Sequence, residues 1–260
     1  MFVKVKKLNA FSAYFVILLT FIFLVSCKSK NYSNYKVEGS KVNVNQNYKS
    51  DEKIEAFVAP FRTHINKDLD SILAYCPETL DKSKGKWETN IGLFFANVTY
   101  KLANPIFQKR ENKSIDMVLM NHGGIRSTIP KGNVTSRTAY SIMPFENSVI
   151  IVELLGTEIE ELANYILEER KPHPMCGIKI YANKGNELNE VRINNIKVEA
   201  DKKYNVATTD YLANGGDNMS FFKKSKITYD LDYKLRNLFI DYFKKVDTVE
   251  VFNNQIVIIE

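Results

Sequence analysis

The sequence predicts an α+β (mixed α/β) fold, and three observations carry that prediction. Apolar stripes at helical spacing and short β-branched runs both recur along the chain, yet they do not alternate strictly as β-α-β units. Two of the predicted strands open into loops that carry a Gly-Gly pair, at Gly123-Gly124 and Gly215-Gly216. The 260 residues suffice for one domain of ample size, and 45 % apolar with 25 % charged residues is ordinary for a globular chain.

The first segment reads as an address. Lys4, Lys6 and Lys7 precede an apolar run, Phe11 to Val25, that ends Leu24-Val25-Ser26-Cys27. A basic start, a short apolar stretch and a small residue before the break are signal-peptide features. The run is shorter than the roughly 18–20 apolar residues that a membrane span needs. Leu-Val-Ser-Cys resembles the lipobox of bacterial lipoproteins, which implies lipidation of Cys27 and a lipid-anchored place in the bacterial cell envelope, on a periplasmic or outer-membrane face. The expected organisation is a signal peptide over 1–26, a lipidated N-terminus and tether over 27–50, and a folded domain over 51–260. Removing residues 1–26 deletes three lysines and no acids, so the formal charge falls from +6 to +3 (33 basic minus 30 acidic). The basicity belongs mostly to the leader, and a nucleic-acid partner is not expected.

Residues 28–50 are rich in Lys, Asn, Ser and Tyr, with one short strand expected at Val42-Asn43-Val44. Ile54, Phe57, Phe61, Ile65, Leu69, Ile72 and Leu73 then fall on one helical face, with Pro60 predicting a kink or late start and Pro77 the end. Residues 81–87 form a polar loop. A second helix is expected from about Glu88-Thr89-Asn90 to Ala103, stopped by Pro105. The run from Ile115 to Met120 predicts a buried strand that leads into Asn121-His122-Gly123-Gly124. Ser148 to Leu155 is β-branched and apolar, hence a strand, and Thr157 with Glu160 predicts a capping box for the helix that follows. Gly177 to Tyr181 and Glu190 to Ile193 read as strands, with a tight turn at Asn194-Asn195 into Ile196–Val198. Tyr204 to Thr208 is a further strand, Leu231 to Tyr242 a last helix, and Val249 to Ile259 a terminal strand or hairpin. Cys76 stands just before Pro77 and Cys176 just before Gly177, so both read as buried or turn residues rather than as ligands.

The chemistry concentrates in the loops. Asn121-His122-Gly123-Gly124-Ile125-Arg126 combines close backbone approach with a planar cationic fork suited to phosphate or carboxylate. Taken alone, such a segment is more often a tight turn with a surface arginine. Pro144-Phe145-Glu146-Asn147 adds an aromatic ring and an amide, and Asp210-Tyr211-Leu212-Ala213-Asn214-Gly215-Gly216-Asp217 adds a second ring and a carboxylate. Two rings to stack a base, amides to hydrogen-bond it, a carboxylate for sugar hydroxyls and an arginine for phosphate make up the inventory of a nucleotide pocket.

These three motifs, in this order with Leu155-Gly156-Thr157-Glu158 and Cys176-Gly177-Ile178 between them, resemble the C-terminal domain of the 5′-nucleotidase / UDP-sugar hydrolase family over roughly residues 51–260. The resemblance implies a mixed sheet flanked by helices. It implies that Phe145 and Tyr211 sandwich the base, that Asn121 and Asn147 hydrogen-bond the nucleoside, and that Gly124 gives close backbone approach. Asp217 would take the ribose hydroxyls and Arg126 the phosphate. Tyr211 stands where phenylalanine is common, His122 replaces a glycine, and an arginine expected ahead of Glu88 is absent, with Lys84 and Lys86 nearby instead. Gly92-Leu93 replaces a common Gly-Asn.

Hydrolytic members of that family carry a metallophosphatase domain whose two metals are held by Asp-x-His, Gly-Asp-x-x-Asp and Gly-Asn-His-Glu/Asp blocks. The three histidines here, His64, His122 and His173, sit in none of these. No catalytic or metal-ligating residue is therefore assigned to this chain, no cofactor is expected in it, and the divalent metal pair is expected in a separate metallophosphatase partner. The alternatives are a stand-alone nucleotide-binding lipoprotein and a degenerate envelope scaffold.

Overall fold

A computed structural model describes residues 10–25 and 36–260, which leaves the expected lipidation site, Cys27, outside the described residues. The chain divides into two units, Met1–Glu52 and Lys53–Glu260. In the first, the apolar run forms helix α1 (Ala10–Val25). No described helix is long and apolar enough to cross a membrane. Residues 42–44 are irregular rather than a strand, because no neighbouring strand pairs with them.

Helix α2 (Glu52–Leu69), all but its first residue in the second unit, runs through Pro60 and, among the described residues, buries none of its side chains. Phe57, Phe61 and Ile65 face outward. The apolar stripe does not continue as helix: Ile72–Cys76 is strand β1, paired antiparallel with β3 (Gly132–Thr135). Helix α3 (Asn90–Glu111) starts where the Thr89 hydroxyl accepts the Gly92 N–H at 3.0 Å, and it continues past Pro105.

The centre is a five-stranded mixed sheet in the order β10-β4-β9-β2-β5, with β2 Met117–Leu119, β4 Ser148–Leu155, β5 Met175–Cys176, β9 Lys203–Thr209 and β10 Thr228–Lys234. β2 and β9 are parallel, while the other neighbours are antiparallel. Both faces are covered, so β4 reads as a continuous apolar run. Val149 and Ile151 enter one core with α3, α4 (Ser136–Ile142) and α7 (Leu235–Lys245), whereas Ile150, Val152 and Leu154 enter a second core with α5 (Gly156–Glu169) and Leu212 of the short α6 (Asp210–Ala213). In the first core the Phe95 and Phe239 rings lie 4.4 Å apart between centroids and join α3 to α7. The second core extends to a four-stranded sheet in the order β11-β6-β7-β8, with β6 Ile178–Ala182, β7 Leu188–Ile193, β8 Ile196–Lys197 and β11 Val257–Ile259. The turn from β7 to β8 uses Asn194 (φ 52°) and Asn195 (φ 64°), both left-handed as a two-residue hairpin requires.

The expected capping box of α5 takes a different form. Leu155 precedes the first helical residue, and Glu158 reaches back to accept its N–H, so Thr157 and Glu160 do not pair as the cap. Leu231 lies in β10 rather than in the last helix, which starts at Leu235.

Candidate functional site

The topology brings the three loops to one edge of the central sheet. β2 and β9 run parallel with Val118 opposite Ala207, so the loops after both leave from the same side. β4 runs antiparallel to β9 with Val149 opposite Thr209, so the loop that precedes β4 arrives there too. Carboxyl ends of parallel strands are where open mixed sheets place ligand sites.

At that edge a cavity of about 440 Å³ is lined by Asn121, Gly123, Gly124, Arg126, Phe145, Asn147, Tyr211 and Asp217. Every residue that the sequence singles out as a substrate-binding candidate therefore borders one space, of a size that suits a small organic ligand. Asn121 Nδ2 donates to Asp217 Oδ2 at 2.8 Å, and the Tyr211 hydroxyl donates to Asp217 Oδ1 at 2.8 Å, so the carboxylate joins two of the loops. Asn147 Nδ2 donates to Asp210 Oδ1 at 2.8 Å, which joins the third. Phe145 and Tyr211 remain about half exposed, at 43 % and 46 %. The Arg126 guanidinium lies 5.8 Å from the Phe145 ring centroid. Gly124 leaves room for Asn121: a Cβ there would stand 2.7 Å from the Asn121 Oδ1 atom.

Four residues that sequence reasoning passes over hold this arrangement. Lys82, in the loop over 81–87, donates from Nζ to the Ile125 carbonyl at 2.8 Å. Burial and the Arg126 charge beside it push its pKa down, so a second cation stands next to Arg126. The lysine-rich loop carries the available signal, although Lys84 and Lys86 stand closer in sequence to the expected arginine. His173 is buried, and its Nδ1 accepts the His122 N–H at 3.2 Å. Burial first, then the neighbouring His122, lowers the His173 pKa to about 4, so the ring is neutral at neutral pH. The Tyr165 hydroxyl donates to the Asp217 carbonyl at 2.7 Å, and burial pushes its pKa up to about 12. Arg236, buried beneath residues 144–147, packs 4.3 Å over the Tyr140 ring, pairs with Glu146 and donates to the Pro144 carbonyl at 3.5 Å. The Leu235 N–H adds a bond to the Asn147 carbonyl at 2.9 Å.

His122 turns away from the cavity, with its Nδ1 3.3 Å from the Pro172 carbonyl. Among the described residues no three His, Cys, Asp or Glu side chains converge on a possible metal position, so the donor set does not fit the two-metal centre of a metallophosphatase. Cys76 and Cys176 are both buried and free. Burial raises both thiol pKa values, that of Cys176 to about 12, which is the opposite of what a nucleophile needs.

The family pattern described as the 5′-nucleotidase C-terminal domain matches residues 77–224. Similar curated proteins include the trifunctional nucleotide phosphoesterase protein YfkN of Bacillus subtilis, 26 % identical over 61 % of this chain and 11 % of that protein. A 5′-nucleotidase of Vibrio parahaemolyticus is 23 % identical over 75 % of this chain and 34 % of its own length. Among solved structures, the 5′-nucleotidase precursor of Thermus thermophilus superposes with a TM-score of 0.65 at 21 % identity, over 80 % of this chain and 42 % of that one. The chain thus spans less than half the length of each of these proteins. With the pattern covering more than half of the chain and the mixed sheet matching the solved fold, this protein belongs to the 5′-nucleotidase C-terminal domain family.

Proposed function

We propose that this domain is the nucleotide- or nucleoside-recognition part of a 5′-nucleotidase-type phosphohydrolase in nucleotide catabolism. The observation that carries the reading is the single cavity bordered by two aromatic rings, two amides, a carboxylate and an arginine. Phe145 and Tyr211 take the base between them, and Asn121 and Asn147 hydrogen-bond the nucleoside. Gly124 lets the backbone come close, Asp217 accepts the sugar hydroxyls, and Arg126 meets the phosphate. Lys82 is the second cation for that phosphate, in the role that the sequence left open. Bond cleavage falls to a separately encoded metallophosphatase that supplies the metal pair, with this chain held at the envelope through lipid on Cys27.

Calorimetry tests the recognition step. AMP and adenosine should both bind, with AMP tighter through Arg126 and Lys82; absence of binding by either at millimolar ligand would refute the reading. Mixing the chain with a metallophosphatase from the same bacterium tests the split: AMP hydrolysis should rise above that of the partner alone, and unchanged turnover would sink that part. A second reading, a stand-alone nucleotide-binding lipoprotein, rests on the same cavity. It predicts the same binding with no effect on turnover.

A further inference from the structure

We propose that the Tyr211 hydroxyl is a positioning group that aims the Asp217 carboxylate and thereby sets a preference for sugars with a vicinal cis-diol. This rests on the nucleoside reading above and deepens it by assigning the selectivity to one oxygen atom.

Asp217 is held at three points besides the Asn121 amide on its Oδ2. Its Oδ1 accepts from the Tyr211 hydroxyl at 2.8 Å, and its own backbone N–H donates back to that hydroxyl at 3.2 Å. Its backbone carbonyl accepts from the Tyr165 hydroxyl at 2.7 Å. Such fixing is needed, because Asp217 (φ 51°, ψ 30°) and Asn218 (φ 60°) are successive non-glycine residues in the left-handed region. Each costs on the order of 1 kcal/mol and persists only where the surroundings over-determine it. The Tyr211 ring lies directly on this turn, since a Cβ on Gly216 would stand 2.5 Å from two of its ring carbons. The stacking ring and the sugar carboxylate thus form one unit, joined by the hydroxyl. A phenylalanine would keep the ring and lose the joint.

The remaining acceptor capacity defines the ligand. A carboxylate accepts about four hydrogen bonds, two on each oxygen. Tyr211 occupies one site on Oδ1 and Asn121 one on Oδ2. One site per oxygen remains, which matches two adjacent hydroxyls. A sugar that lacks both hydroxyls leaves both sites unfilled.

The test is calorimetry of adenosine and 2′,3′-dideoxyadenosine with the wild type, Tyr211→Phe and Tyr165→Phe, with unfolding midpoints to verify the fold. The wild type should favour adenosine. Tyr211→Phe should weaken adenosine about tenfold while dideoxyadenosine changes less than about twofold, as expected for loss of a charge-assisted hydrogen bond that orients only the diol contact. Tyr165→Phe, which releases only the Asp217 carbonyl, should narrow the selectivity ratio in the same direction and serves as the second variant if the first fails to fold. Equal losses for both ligands, or unchanged adenosine affinity, would overturn the proposal while leaving the pocket intact. A wild type that binds both ligands equally would do the same, whereas one that binds neither would remove the nucleoside reading together with it.

Discussion

On the proposed nucleoside reading, replacing Phe145 by alanine should remove one of the two faces offered to a base. The ring is 43 % exposed and stands at the cavity edge rather than in a core. Stacking of a base on an aromatic side chain is worth about 1–3 kcal/mol, so AMP affinity should fall by about 5- to 150-fold. The Arg126 contact with the ring, 5.8 Å to its centroid, disappears as well. At an exposed site that contact is worth about 0.5–1 kcal/mol, and it exists in the free protein too, so it adds little to the difference in binding. Phe145→Trp keeps a stacking face and should bind within about threefold of wild type on the same scale. Because the ring contributes little to either core, the unfolding free energy of the alanine variant should move by less than about 1 kcal/mol. Calorimetry with AMP and a denaturant titration on each variant measure both quantities. An alanine variant that binds within twofold of wild type, or alanine and tryptophan variants that lose equally, would refute the reasoning.

Gly216→Ala places a Cβ 2.5 Å from the Tyr211 ring, so the ring must move and AMP affinity should drop about tenfold or more by loss of one stacking face; a crystal structure with an unmoved ring would contradict this. Arg236→Met removes the support under residues 144–147. Glu146 is 70 % exposed on its side chain, so the ion pair itself contributes little. The lost cation–π contact and the unserved Pro144 carbonyl should still cost about 1–2 kcal/mol in unfolding free energy, together with weaker AMP binding. Binding at wild-type affinity would show that the loop does not depend on Arg236. His173 gives a pH dependence. Its folded pKa, lowered from 6.5 to about 4, lies below its unfolded value, so the unfolded chain binds the extra proton first. The stability tied to neutral His173 is therefore fully present above pH 6.5 and is lost as pH falls from there through about 4, up to about 3 kcal/mol by linkage. His173→Asn should abolish that slope in unfolding experiments run between pH 7 and 4; an unchanged slope would assign it to other groups.

Sequence served well where one physical constraint dominated. β4 occupies Ser148–Leu155 as expected, because a β-branched run buried on both faces admits little else. Asn194-Asn195 forms the tight turn because asparagine tolerates positive φ. Periodicity misled where one element hands over to the next. Ile72 and Leu73 extend the α2 stripe by spacing yet belong to β1, and Leu231 extends the α7 stripe yet belongs to β10. Pro105 does not stop α3, since Pro105 and Lys101 both lie on the exposed face, where water can serve the carbonyl that the missing N–H leaves. The cavity residues were legible because they cluster in three short motifs. Their supports were not: Lys82, Tyr165, His173 and Arg236 come from separate elements, and only the folded topology brings them behind the loops.

Helix α2 carries a practical consequence of its exposure. A helix with no buried side chain draws its stability mainly from propensity and local pairs, and isolated helices of this length are marginal in water. At its C-terminal end Arg137 of α4 donates to Asn66 and Asp70. Its backbone amides should therefore exchange with solvent long before those of the central sheet. Arg62 and Lys67 become early tryptic sites, and limited digestion should leave a resistant fragment that starts just before β1 and retains the whole cavity bordered by the three loops.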